Sequence, residues 1–536
     1  MAALGAPSVA SARPDRARAT GPRELLVLDH GHTHRRAITG LGALSLPHTG
    51  PGGAARRSRA GAPAAAATTR PSASAARARS SLSTPAGALL ALTRRGALSA
   101  ADYRRYLGEY RLARRSLGRL GGTRRSELGA VLANVQAIAG AGGFLPSRLP
   151  ALFLTLERNR QWWTSGPLLS DGQRVSFPGS RLVWQYYAGQ GVEIQWLGTF
   201  GQANGLFQAG DDGGLRAVLD EAVPLASARA GGIAWEYLFR FDGGRPPWTS
   251  SLSQGTAIQA LTRAAVRLRE PAFSDAARRA LGIFLIAPPM GVRIATRVGT
   301  HYLQYSFAPG ERILNGFIQS LVGLYDYATL TGDPLGAQLF ASGDAQGRVE
   351  VPSYDTGAWS QYDQHTESDL SYHELLRDFL LHLCQRTDPQ GASTSAPSAT
   401  APPGQTSAPA NADASYCTTA QRFTTYLKTR PVVSLLTHRV RGRRPTDVRV
   451  ALSKVSRVTM TIRSTGHVVF VGSGQLGHGT PSLRWPSPGR PGPYTVTLSA
   501  VDLAGNRAST RAPVTVVAPA PVRRVSRVRH PTSRRR

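Results

Sequence analysis

Groups that can pass protons crowd one stretch of this chain. Tyr302 and Tyr305 precede the segment Arg312–Tyr327, and Tyr354, Tyr362 and the Tyr372-His373 pair follow it. A phenol can take or return a proton when neighbouring cations lower its pKa toward the working pH. His301, Arg312, His365 and His373 are close in sequence and could supply that charge. Asp363, Glu367 and Asp369 form a carboxylate cluster of the kind glycosidases use, but no second carboxylate is fixed at a defined distance from it. The cluster reads as a solvated loop edge. Trp184, Trp196, Trp235 and Trp248 can stack on sugar rings or fill a core.

These groups need a scaffold. Leu314, Phe317, Ile318, Leu321 and Leu324 recur at three- and four-residue spacing, which predicts a helix with one packed stripe. Gly316 and Gly323 beside that stripe let another backbone or a ligand come close. Four segments look like variants of one helical element, marked by Gly201, Gly255, Gly316 and His373 at intervals of 54, 61 and 57 residues. A loose period of that length fits stacked helical hairpins and predicts a mainly α, α/α-toroid domain over residues 86–430. Arg181–Tyr187, Val192–Trp196 and Ala234–Phe241 alternate like short strands set between the helices. Thr418–Thr429 reads as a last helix, after a Pro/Ser/Thr-rich insert at 388–415. Residues 431–518 change to strand patterns split by Gly/Pro turns, about seven in number, which fits an immunoglobulin-like sandwich. Residues 1–85 and the basic tail 519–536 lack a buryable apolar pattern and read as disordered.

The order of tyrosines and helix resembles the C-terminal domain of the D-glucuronyl C5-epimerases, which invert C5 of a uronic acid inside a polysaccharide. The resemblance covers roughly residues 180–430. It rests on Thr199–Asn204, Pro247-Trp248 through Gln254-Gly255, Tyr302–Tyr327 and Tyr354–His373. It implies catalytic roles for Tyr305, Tyr362 and Tyr372, and substrate contacts from Gln304, His365, His373, Asn315, Gln254, Trp248 and Arg312. No cofactor and no metal is implied; the implied partner is a carboxylated polysaccharide. Two positions depart from the family pattern: Gln304 stands where a Glu is usual, and His365 where an Arg is usual. A neutral amide cannot act as a base. The chemistry asks for neutralisation of the uronate carboxylate, proton removal at one face and proton return at the other. The same carbanion can expel the 4-O substituent, so a lyase or hydrolase on this scaffold is one alternative. A polysaccharide-binding protein that has lost catalysis is the other.

Composition narrows the field further. The formal net charge of +32 sits at the ends: residues 1–100 hold 14 cationic against 3 acidic side chains, residues 101–387 hold 28 against 25, and residues 388–536 hold 22 against 4. The central body is nearly neutral, and no zinc-ligand spacing, stacking-aromatic signature or basic heptad points to nucleic acid. Arginine excess among abundant Ala, Gly and Pro reads as codon bias. No apolar run of 18 residues is present, so no membrane span is expected. Arg35-Arg36 before a weak apolar run resembles a twin-arginine leader only loosely; an extracytoplasmic or secreted location is the expectation. The two cysteines, Cys384 and Cys417, bracket the insert and are either a disulfide closing it or two independent thiols. Oligomeric state is not legible.

Overall fold

The computed structural model describes residues 24–29, 32–37, 84–388 and 416–518. They fall into two units, Met1–Pro352 with Asp378–Cys417, and Ser353–Arg377 with Thr418–Arg536.

The first unit is mainly helical. Helices Pro85–Arg94, Ala100–Arg119, Gly122–Gly140 and Leu149–Ser165 pack on one another. Thr84 and Ser99 start the first two by accepting the amides of Gly87 and Asp102. Three helix pairs follow: Trp196–Ala209 packs on Asp212–Ala222, Ser251–Leu268 on Pro271–Ala280, and Leu314–Thr331 on Pro334–Glu350. The leading helices, which carry Gly201, Gly255 and Gly316, also pack successively on each other. Ser251–Leu268 and Leu314–Thr331 meet along glycines. A Cβ on Gly255 would lie 2.7 Å from the Ser320 Cα, and one on Gly323 would strike the Gly255 carbonyl. The expected stripe, Leu314 to Leu324, is fully buried.

Among these helices stands a five-stranded sheet in the order His32–Ala37, Glu24–Asp29, Arg174–Ser176, Trp184–Tyr187, Gly191–Ile194. The first two strands correct the sequence-based reading of residues 1–85 as disordered. They form an antiparallel hairpin, and Leu26 and Val27 pair in parallel with Val175 and Ser176. The short apolar run Leu25–Leu28 is enough, because Leu26, Val27 and Leu28 become buried against the sheet. Trp184–Tyr187 and Gly191–Ile194 fall where alternation predicted strands, whereas Arg174–Ser176 was not expected. In the Ala234–Phe241 segment, only the start is a strand (Gly232–Ala234); beyond it Tyr237 bridges Trp248 and Phe241 bridges Gly244.

Cys384 and Cys417 form a disulfide with Cα atoms 4.8 Å apart. The insert between them, after Asp388, and the tail 519–536 lie outside the described residues.

In the second unit, one sheet runs Val433–Leu435, Thr446–Leu452, Ser482–Trp485. The other runs Arg439–Arg441, Arg507–Val517, Gly492–Asp502, Ser456–Ser464, His467–Leu476. Val448, Val450 and Trp485 from the first and Val458, Met460, Ile462, Val496 and Leu498 from the second share one apolar cluster. Glu367 is no solvated edge: its carboxylate accepts the amides of Val455 at 3.0 Å and His478 at 2.7 Å. Buried Lys454 pairs with Asp502 at 2.6 Å and donates to the Tyr426 carbonyl. Among the described residues no helix is long and apolar enough to cross a membrane.

Candidate active-site cleft

In the first unit a narrow cleft is lined by Tyr187, Gln195, Leu197, Tyr237, Phe239, Phe241, Trp248, Ser250, Leu252, Gln304 and Tyr305. Some 320 Å³ of empty space belongs to it, counting the part open to solvent.

One wall is aromatic. Trp248 stacks on Tyr237 at 4.3 Å and meets Tyr305 edge-on at 5.7 Å, while Tyr305 stacks on Phe307 at 5.3 Å. Reciprocal backbone hydrogen bonds between Tyr237 and Trp248 hold this wall in register. Below it, Glu236 receives Arg148 through two hydrogen bonds, at 2.5 and 2.9 Å, and Arg229 at 2.7 Å. Burial raises the Glu236 pKa, but the two guanidiniums outweigh it and hold the carboxyl below its ordinary range. This buried triad fixes the Trp235-Glu236-Tyr237 segment.

Gln304 and Tyr305 close the cleft from the helix side. Gln304 Nε2 donates to Tyr305 Oη at 2.8 Å. Gln304 lies against Gly316, where a Cβ would come within 2.7 Å of the Gln304 Cβ. The expected close approach at Gly316 is therefore to the Gln304 side chain.

The opposite wall is the polar face of the sheet. Strand alternation sends Trp184, Tyr186, Val192 and Ile194 to one face, where Tyr186 donates to Glu127 at 2.9 Å and Trp163 packs on its ring. Gln185, Tyr187 and Glu193 take the other face, and Gln195 continues it in extended conformation. Gln195 Nε2 donates to Tyr187 Oη at 2.6 Å, and Tyr237 Oη donates to Gln195 Oε1 at 3.0 Å. Burial is the main cause of a raised pKa at Tyr237, so its phenol stays protonated.

The expected site residues are distributed as follows. Tyr305, Gln304 and Trp248 share the cleft. Gln254 is buried and spends its amide on backbone, donating to Ile233 at 2.9 Å and Ala280 at 3.1 Å, which ties a hairpin to its helix. Asn315 is buried at the start of Leu314–Thr331. Arg312 donates to the Pro309 carbonyl. Tyr362 and Tyr372 belong to the second unit and their rings meet at 4.7 Å. His365 is exposed. His373, named above as a possible cation, is buried and stacked on Trp359 at 3.7 Å. Its Nε2 lies 3.0 Å from the Phe423 carbonyl, and its Nδ1 accepts from Ser360. Burial lowers its pKa to about 4, so it is neutral at neutral pH. His301 is buried with Nδ1 3.0 Å from Glu350, and burial is the main cause of its lowered pKa.

Sequence reading missed Tyr187, Gln195 and Tyr237. The signal lay in the strand pattern, which puts polar groups at every second position between tryptophans. Among the described residues no group of three or more His, Cys, Asp or Glu side chains is placed to hold a metal ion.

Residues 231–395 match the family described as D-glucuronyl C5-epimerase C-terminus. A D-glucuronyl C5-epimerase of Caenorhabditis elegans is 33% identical over 131 residues, which is 22% of this chain and 21% of the relative. An uncharacterised protein of Methanocaldococcus jannaschii is 25% identical over 138 residues, 24% of this chain and 45% of the relative. The chain thus spans less than half the length of either relative. A crystal structure of an engineered protein aligns with 50% of this chain and 46% of its own at 18% identity and a TM-score of 0.15.

Proposed function

From a chain that belongs, through residues 231–395, to the D-glucuronyl C5-epimerase family, we propose that the cleft inverts C5 of a uronic acid residue within a carboxylated polysaccharide. The observation that carries the reading is the Gln304–Tyr305 pair, hydrogen-bonded in an aromatic cleft. Aromatic faces suit the apolar face of a pyranose, and amides and phenols suit its hydroxyls. In this reading the C5–H bond breaks and its electron pair spreads into the carboxyl group as an enediolate. The proton passes to a phenolate oxygen, and a phenol on the opposite face returns one to C5. Tyr305 is assigned one of these roles from the cleft. Tyr362 and Tyr372 are candidates for acid–base work solely through the family positions they occupy in the sequence. Gln304 serves as a hydrogen-bond donor, since an amide holds no proton to exchange as a base.

The three helix pairs with successively packed leading helices support an α/α-toroid. The shared core of the two C-terminal sheets supports an immunoglobulin-like module. The Cys384–Cys417 disulfide favours an oxidising, extracytoplasmic setting.

Incubation with uronate polymers in heavy water tests the reading. Deuterium at C5 with inversion supports it. Unsaturated chain ends would mean a lyase instead, and tight binding with neither change would mean a binding protein, the reading that Gln304 favours if catalysis has been lost.

A further inference from the structure

The second unit is rich in arginine and poor in carboxylates. Residues 431–518 hold 12 cationic side chains against 2 acidic ones, Asp447 and Asp502, and Asp502 is spent on buried Lys454 at 2.6 Å. The five-stranded sheet of this unit buries Val458, Met460 and Ile462 of one strand and Val514 and Val516 of another against its partner sheet. Strand alternation therefore turns Arg457 and Arg463, and Arg507 and Arg511, to the outer face. Register sets Arg457 level with Val501, and Val501 level with Arg507. Arg439, on the edge strand, is level with Thr515 of the same face. Arg439, Arg457, Arg507 and Arg511 are exposed and Arg463 is half-buried, and none of the five makes an ion pair with a described residue. Among the described strands no acidic side chain is turned to this face; between the arginines stand hydroxyls, such as Thr459, Thr461, Thr497 and Ser499. Codon bias accounts for the number of arginines in a chain, but not for a sheet face without carboxylates. Residues 101–387, under the same bias, hold 28 cationic against 25 acidic side chains.

We propose that this outer face binds the carboxylated polysaccharide at sugars other than the one reacting in the cleft. The inference rests on the epimerase reading for the identity of the polymer and adds a second contact region for it. A guanidinium is always charged and presents a planar fork that fits a carboxylate, and the hydroxyls between the arginines suit those of a sugar chain. Neighbouring strands lie about 4.8 Å apart, and outward residues recur about every 6.8 Å along a strand. At the backbone Arg457 and Arg507 are therefore about 10 Å apart, Arg507 and Arg511 about 14 Å, and Arg457 and Arg463 about 20 Å. That spread is too wide for one small anion. It suits an extended polyanion, whose separate weak contacts reinforce one another once the first has formed.

Other occupants fit this face less well. A second copy of the chain, docked face to face, would set arginine against arginine. Nucleic acid carries the right sign of charge, but the outward positions of these strands hold no aromatic side chain on which a base could stack.

The test measures the affinity of the full chain for long hyaluronan and alginate, both uronate polymers, with duplex DNA as the competing polyanion. The face variant is Arg457→Gln/Arg463→Gln/Arg507→Gln/Arg511→Gln. The control, Arg444→Gln/Arg449→Gln/Arg484→Gln/Arg490→Gln, removes the same charge from exposed positions elsewhere in the unit. One exposed ion pair is worth up to about fivefold, so the face variant should bind the better uronate polymer about 10- to 100-fold more weakly at low salt. The control should bind like the parent. Added salt should weaken the parent and leave the face variant nearly unchanged. Thermal unfolding should hold steady in both variants, and so should C5 exchange on a short uronate oligosaccharide in the face variant. Parental affinity in the face variant, an equal loss in the control, or no binding of the parent to either uronate polymer overturns the proposal. Tighter binding to DNA than to both uronate polymers, lost with the same four arginines, overturns it in favour of a nucleic-acid surface. If the parent binds a uronate polymer through these arginines and exchanges no C5 proton on any uronate polymer, the epimerase reading fails and the binding face stands.

Discussion

The contact between Gly316 and Gln304 links a helix to the cleft and can be tested with a single methyl group. In Gly316→Ala the new Cβ would lie 2.7 Å from the Gln304 Cβ, 2.9 Å from its Oε1 and 3.0 Å from its Cγ. Carbon atoms in contact sit about 3.5–4.0 Å apart, so about 1 Å must be found. The closest atom is a Cβ fixed to the backbone, so rotating the Gln304 side chain cannot relieve the clash. The Tyr302–Tyr305 segment has to move as a whole. Overpacking of this kind costs about 1–3 kcal/mol. Replacing glycine in a helix returns up to about 1 kcal/mol, and less here because Gly316 is in the first turn of Leu314–Thr331. The net loss of stability should be roughly 1–2 kcal/mol, a fall of a few degrees in Tm for a unit of this size. Catalysis should suffer more. Tyr305 Oη is held by Gln304 Nε2 at 2.8 Å, and a displacement of about 1 Å in a reacting group can cost about 100-fold. The assay pairs C5 exchange with thermal unfolding. A Gly316→Ala protein with parental exchange and parental Tm would refute the reasoning.

Other outcomes follow from the same structure. Gln304→Glu restores the carboxyl usual in the family beside Tyr305, and C5 exchange should be at least as fast as in the parent; a large loss would show that the amide itself is needed. His373 has a folded pKa of about 4, against about 6.5 unfolded. The unfolded chain binds the extra proton between those values, so this stabilisation is complete above pH about 6.5 and lost as pH falls through about 4. Over that window it amounts to about 3 kcal/mol, and denaturant unfolding at pH 7 and pH 4 should show it shrink in His373→Gln. Reducing the Cys384–Cys417 bridge, whose partners are 33 residues apart, should lower stability by about 3–4 kcal/mol on the loop-entropy account; unchanged melting in Cys384→Ser would contradict it.

The helix around Leu314–Leu324 was legible because its large apolar side chains recur at three- and four-residue spacing, but that spacing did not reveal that Leu314–Leu324 is buried on every face. The strands at 184–187 and 191–194, where polar and apolar residues alternate, were legible too. Gly316 announced a close approach but not its partner, since a missing side chain says nothing about what fills the space. The hairpin at 24–37 escaped notice because its apolar run is only Leu25–Leu28 and its burial depends on a strand about 150 residues later. The alignment of Arg457 with Arg507 across the strand between them was invisible for the same reason: register between strands is a tertiary property. His373 was misjudged as a cation because sequence distance to tyrosines carries no information about burial. Glu367 was misjudged as a solvated edge because its partners, the Val455 and His478 amides, are backbone groups about a hundred residues away.

The central claim is that the cleft holding Tyr305 removes the C5 proton of a uronic acid. The most direct measurement compares C5 deuterium incorporation into a glucuronate-containing polysaccharide by the parent and by Tyr305→Phe, with polymer affinity determined in parallel. Tyr305→Phe deletes one hydroxyl and keeps the ring that packs on Phe307 and Trp248. The account predicts exchange in the parent, a loss of about 100-fold or more in the variant, and affinity unchanged within a few-fold. Exchange at the parental rate in Tyr305→Phe would contradict it.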